Sequence, residues 1–196
     1  GSLLGRHVHG WERAPARAVA GRWASRPLRD SGPLLLCLDT SGSMRGAVGV
    51  LARAVILEAA RQARRAKRPA FVVFFGGEGE LALQKLGNGG ARSSRSGDDL
   101  LGLLESLRRG FGAATSIDAP LRCCLEAVGD EVWAEADVMI VSDGDFDPPV
   151  AATLDSLAQA RAASNLRVVG VCVQRYASSV PANLSSLCDE VLSLHT

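Results

Sequence analysis

The sequence predicts an α/β fold: a doubly wound, mostly parallel sheet with helices on both faces and one short antiparallel edge strand. Two observations carry this. Residues 34–38, 70–75, 138–141 and 166–173 are short runs of almost wholly apolar character, as expected of strands covered on both faces. The stretches between them place apolar residues three or four apart, so strands alternate with helices and the crossovers make the pairing parallel.

In chain order, LLLCL at 34–38 is the first strand. Residues 46–66 follow as a helix, with Val48, Leu51, Val55, Ala59 and Ala63 on one face. Its last turns carry Arg61, Arg64, Arg65, Lys67 and Arg68, which suit the negative end of a helix dipole and otherwise form a docking patch. Residues 70–75 are the second strand, 76–79 a turn, and 80–83 alternate like a short edge strand. Residues 87–97 are rich in Gly and Ser and read as a loop. A helix starting near Asp98 has Leu100, Leu101, Leu104 and Leu107 as apolar positions. Residues 111–115 form a loop before a helix at about 117–128, and 138–141 is the third core strand. Pro148 and Pro149 open a helix near 149–163, because proline fits a first turn. Residues 166–173 and 190–194 complete the set of strands.

The organisation is one domain at 33–196 behind a basic arm or linker at 1–32. The first 30 residues hold six arginines against Glu12 and Asp30, with Trp11 and Trp23 interspersed. This arm is expected to pack on the body through its tryptophans or to link to a missing N-terminal part. The opening Gly1-Ser2, without an initiator Met, reads as a cut from a longer protein.

Bulk composition narrows the function classes. Hydrophobic residues make up 47% and charged residues 22%, enough for a sizeable core. A formal net charge of +1 argues against a general nucleic-acid or membrane-surface binder. No apolar stretch approaches the roughly 20 residues needed for a membrane span, and no secretory signal is present. The five cysteines, Cys37, Cys123, Cys124, Cys172 and Cys188, form no CxxC pair. Buried free thiols in a reducing, cytoplasmic compartment are expected. Adjacent Cys123 and Cys124 on a helix point apart and read as packing residues.

The chemistry gathers where strands end. In an open parallel sheet, ligands bind beyond the carboxyl ends of the strands, at the point where strand order reverses. Asp39-Thr40-Ser41-Gly42-Ser43 follows the first strand, Thr115 ends a loop, and Asp143 follows the third core strand. Asp39, Ser41, Ser43, Thr115 and Asp143 make an all-oxygen set. Such a set suits a hard divalent cation, Mg²⁺ first, with Mn²⁺ or Ca²⁺ as alternatives, rather than zinc or copper. Mg²⁺ takes about six ligands, so five protein groups leave a position for a carboxylate from a partner. The first loop is expected to face the surface outside the core, so Asp39→Ala or Ser41→Ala is expected to spare the fold.

LLLCLDTSGSM resembles the opening of a von Willebrand factor A (VWA) domain with a metal-ion-dependent adhesion site (MIDAS). The family pattern of DxSxS, then Thr, then Asp falls on Asp39, Ser41, Ser43, Thr115 and Asp143. The resemblance implies that the serines and threonine ligate the metal and that the aspartates act directly or through water. SGPLLLCLDTSGSM and EVWAEADVMIVSD are most similar to intracellular VWA proteins of the ViaA and CoxE kind. Those work beside MoxR-type AAA+ ATPases, which implies such an ATPase or its substrate as partner. Two departures stand out. Asp145 and Asp147 add carboxylates near the metal face, and Ala113-Ala114 replace the frequent glycines.

The reading is thus a metal-dependent protein–protein interaction module rather than an enzyme. An extracellular adhesion-type VWA domain is the alternative. A metal-dependent hydrolase ranks below both, since His7, His9 and His195 are terminal and neither GxSxG nor GxxxxGK[ST] occurs.

Overall fold

The computed structural model describes residues 32–86, 98–108, 110–111, 115–164, 166–176 and 179–196. The arm expected at 1–32 lies, apart from Gly32, outside the described residues, as does the 87–97 stretch. The described elements are β1 (Leu34–Asp39), a 3-10 turn (Gly42–Met44), α1 (Ala47–Arg65), β2 (Ala70–Phe75), β3 (Leu81–Leu86) and α2 (Asp98–Arg108). They continue with α3 (Asp118–Val128), β4 (Asp137–Ser142), α4 (Ala151–Ser164), β5 (Arg167–Gln174), α5 (Ala182–Leu187) and β6 (Glu190–His195). The six strands form one sheet in the order β3-β2-β1-β4-β5-β6. Only the β2–β3 pair is antiparallel among them. The predicted architecture is therefore the observed one.

Strand alternation divides the core into two layers. Leu34, Leu36 and Leu38 of β1 join Val72, Phe74, Met139 and Val141 under α1 and α2. Leu35 and Cys37 join Val73, Phe75, Val138 and Ile140 under α3, α4 and α5. Both faces of β1 are covered, which is why its sequence is continuously apolar. Cys37 and Cys124 meet across the second layer, Sγ to Sγ at 3.4 Å, and all five cysteines are free. Cys124 is buried while Cys123 is half-buried, so the adjacent pair does diverge.

The helix faces differ in detail from the periodicity reading. In α1 the fully buried stripe is Val48, Ala52, Val55, Ile56, Ala60 and Ala63, with Leu51 and Ala59 at its margin. Alanines under the helix let it sit close to the sheet. In α2, Leu103 and Leu107 are buried, whereas Leu101 and Leu104 are exposed. This helix packs chiefly along the edge strand β3, and of its described side chains Leu103 and Leu107 alone reach the core layer, so a narrow i, i+4 stripe suffices. The Leu100 side chain lies outside the described residues. The short helix α5 had no counterpart in the sequence reading; six residues are too few for a periodic signal.

At the basic end of α1, Arg64, Arg65 and Lys67 are exposed, whereas Arg61 and Arg68 are tied into the structure. Arg61 grips Glu58, with Nε and Nη2 each donating at 2.7 Å. Arg68 is buried against Asp137, Nη2 to Oδ2 at 3.0 Å, and also donates to the Gly32 and Pro33 carbonyls. It closes the amino end of the sheet, at the opposite end of the strands from the loops discussed next.

Candidate metal centre

Strand order reverses between β1 and β4, and the loops leaving both carboxyl ends carry the expected oxygen groups. Parallel pairing sets Leu38 beside Val141, so Asp39 and Ser142 come next along the same pair of strands. Ser142 Oγ donates to Asp39 Oδ2 at 2.6 Å, and the Ser41 amide donates to Oδ1 at 2.9 Å. Asp39 and Ser41 are each only 2% exposed. The expectation of a surface-facing loop needs correcting for these two: β2, β4 and the Ser142 hydroxyl enclose Asp39, and only Ser43 is exposed.

Ser41 Oγ and Ser43 Oγ lie 3.1 Å apart, brought together by the 3-10 turn. Ser41, Ser43 and Thr115 line one open cleft of about 420 Å³, together with Asp145, Phe146, Asp147 and Asn183. Asp143 lines an adjoining cleft of about 600 Å³, which shares Ser43, Asp145 and Asn183 with the first. Asp39 lines neither cleft and sits beneath Ser41. The structure therefore gathers three of the five sequence-selected residues on one cleft, a fourth on its neighbour and the fifth below.

Three contacts tie the loops into a ring. Ser142 joins the third loop to Asp39 of the first. Thr40 Oγ1 accepts the Phe111 amide at 3.3 Å, joining the first loop to the second. A bridge between Ser116 and Asp147 joins the second to the third. Gly144 in the third loop has φ +83°, and a Cβ there would also meet Pro181 Cγ at 2.7 Å, so glycine is required on both counts. Ser142, Thr40 and Asn183 were not selected from sequence. Ser142 had a signal in strand parity, since it points to the same face as Ile140, the face that Asp39 shares with Cys37.

The electrostatics favour a cation. Burial pushes the Asp39 carboxyl above the usual aspartate range and the Asp143 carboxylate adds to the rise, while hydrogen bonds from Ser142 and Ser41 oppose it. Among the described residues, no basic side chain forms an ion pair with Asp39 or Asp143. A divalent ion would offset that uncompensated charge. No three His, Cys, Asp or Glu side chains are arranged to hold a metal among the described residues, so any ion here relies on hydroxyl oxygens.

Residues 7–179 match the family described as VWA domain containing CoxE-like protein. The chain belongs to this VWA family. Solved structures agree on the fold. An aerotolerance-related membrane protein from Bacteroides fragilis is similar at TM-score 0.57 and 12% identity, over 84% of this chain and 91% of that one. BatB from Bacteroides thetaiotaomicron gives TM-score 0.57 and 12% identity, over 84% and 90%. Proximal thread matrix protein 1 from the mussel byssus, with a zinc-occupied MIDAS motif, gives TM-score 0.60 and 13% identity, over 85% of this chain and 44% of that one. At such identities these likenesses concern the fold alone. Membership of this family supports a metal-dependent interaction module. Among the described residues of this VWA domain, no helix is long and apolar enough to cross a membrane.

Proposed function

We propose that Asp39, Ser41, Ser43, Thr115 and Asp143 hold one divalent cation and that a partner's Asp or Glu carboxylate completes its coordination. The observation that carries this is the pairing of Ser41 and Ser43 hydroxyls at 3.1 Å on the Thr115 cleft, above a buried Asp39 without a basic partner. A divalent ion held there would supply a Lewis-acidic point for an incoming carboxylate. Ser41, Ser43 and Thr115 would hold it from the cleft, with Asp143 on the adjoining cleft and Asp39 beneath. Mg²⁺ is the preferred ion, because the donor set is wholly oxygen and hard. The zinc in the mussel protein's MIDAS makes Zn²⁺ a necessary arm of any titration alongside Mn²⁺ and Ca²⁺.

The partner we assign is a MoxR-type AAA+ ATPase or its substrate, with the VWA domain at 33–196 as adaptor and the 1–32 segment as arm or linker. Membership of the CoxE-like family supports this choice. Five free thiols support a reducing, cytoplasmic setting.

A pull-down with and without chelator, followed by identification of the retained protein, tests the assignment. Chelator-sensitive retention of a AAA+ ATPase or its substrate is expected. Retention of a secreted or cell-surface ligand would instead favour the adhesion-type reading, and chelator-insensitive retention would contradict metal-dependent docking.

A further inference from the structure

We infer that Thr40 is a positioning residue for Thr115, acting from the first loop on the second through its hydroxyl; this rests on the metal-site reading above. Thr40 is 4% exposed and lines neither cleft, so it does not itself face a ligand. Its hydroxyl bonds two backbone groups on different segments. Oγ1 donates to the Phe75 carbonyl at 2.9 Å and accepts the Phe111 amide at 3.3 Å. The Phe75 carbonyl also takes the Thr40 amide at 2.8 Å, so it keeps a partner when the hydroxyl is removed. The Phe111 amide gains none by that removal.

The end of β2 is the platform on which both loops rest. Thr40 binds Phe75 there, and the Ser116 amide donates to the next carbonyl, Gly76, at 2.8 Å. A Cβ on Gly76 would meet Phe111 Cβ at 2.5 Å, so the second loop is seated directly against that backbone. Arg53 Nε holds the segment just upstream by donating to the Leu107 carbonyl at 2.7 Å. Thr115 thus stands next to one anchor, Ser116, and shares its loop with the other, Phe111. Loss of the Phe111 contact removes one of these two anchors and touches neither Ser43 nor Asp143. A hydroxyl held loosely binds a metal less well than one held in register.

The test is a calorimetric titration of Mn²⁺ or Mg²⁺ into the full chain and its variants. Thr40→Val removes the hydroxyl and keeps the shape; Thr40→Ser restores it. Affinity is expected to fall about tenfold in Thr40→Val, the low end for groups that support a ligand, and to recover in Thr40→Ser. On a Thr115→Ala background, Thr40→Val is expected to cost nothing more, because the two act as a unit. Equal affinity of Thr40→Val and wild type would overturn the inference. So would a further tenfold loss on the Thr115→Ala background, which would mean that Thr40 acts elsewhere. Should Thr40→Val fail to fold, Thr40→Ala in the same cycle carries the same expected and contrary outcomes. A wild-type chain that takes up no metal would overturn the site reading itself, and with it this inference.

Discussion

Ser142 Oγ donates to Asp39 Oδ2 at 2.6 Å, across the switch point between β4 and β1. The same hydroxyl accepts the Gly144 amide at 2.9 Å, so its proton is directed at the carboxylate. A buried Asp39 is thereby oriented from two sides, by Ser142 on Oδ2 and the Ser41 amide on Oδ1. Ser142→Ala removes one donor to Asp39 and replaces none of the five proposed ligands. Mg²⁺ affinity is expected to drop about 10- to 100-fold, as for other groups that orient a ligand. Unchanged affinity by calorimetry would mean that Asp39 needs no such support.

Arg68 provides the control at the other end of the sheet. Its pair with Asp137 is buried, and it also donates to two backbone carbonyls. Arg68→Ala leaves the Asp137 carboxylate buried without its cation and is expected to cost about 3–5 kcal/mol in chemical denaturation. Mg²⁺ affinity of the folded variant should equal wild type. A parallel loss of metal affinity would contradict the separation of stability from site.

Thr153 offers a gain instead. Its Oγ1 is buried in α4 without a hydrogen-bond partner among the described residues. Thr153→Val keeps the shape and discards that unpaired group, for an expected stabilisation of about 1 kcal/mol. Thermal melts should rise by about 2–4 °C for a chain of this size. A lower Tm would show that the hydroxyl has a partner in solution.

On α1, the Arg61 hydrogen bonds, with help from Gln62, hold the Glu58 carboxyl down at about 2 against an ordinary value of 4.5. A lowered folded-state pKa contributes stability above the unfolded value that disappears as pH falls through the folded one. The Tm difference between wild type and Glu58→Gln is therefore expected to be constant at neutral pH, to shrink below 4.5 and to vanish near 2. Because the pair is partly exposed, the difference should be small and should weaken with salt. A difference that grows on acidification would contradict this assignment.

The four inner strands β1, β2, β4 and β5 were legible because they are buried on both faces, which leaves short continuous apolar runs. Helix faces were less so. Leu101 and Leu104 look like core positions by spacing alone, yet α2 lies at the sheet edge and buries only Leu103 and Leu107 there. The loops carrying Asp39, Ser41, Ser43, Thr115 and Asp143 could be ordered from the motif and the strand ends. What escaped was the set of contacts between loops. Thr40 meeting Phe111, and Ser142 meeting Asp39, depend on register across strands far apart in sequence. Asn183 escaped for a similar reason: it reaches the clefts from α5, where its Nδ2 donates to the Phe146 carbonyl at 2.6 Å.

Ser43 isolates metal binding from folding, because it is exposed, pairs with Ser41 in the cleft and carries no part of the core. Mg²⁺ and Mn²⁺ are titrated calorimetrically into the wild-type chain and into Ser43→Ala. One site is expected in the wild-type chain and at least tenfold weaker binding in the variant, with the Tm of the metal-free protein unchanged. Equal binding by both proteins, or no binding by the wild type, would contradict the proposed metal site.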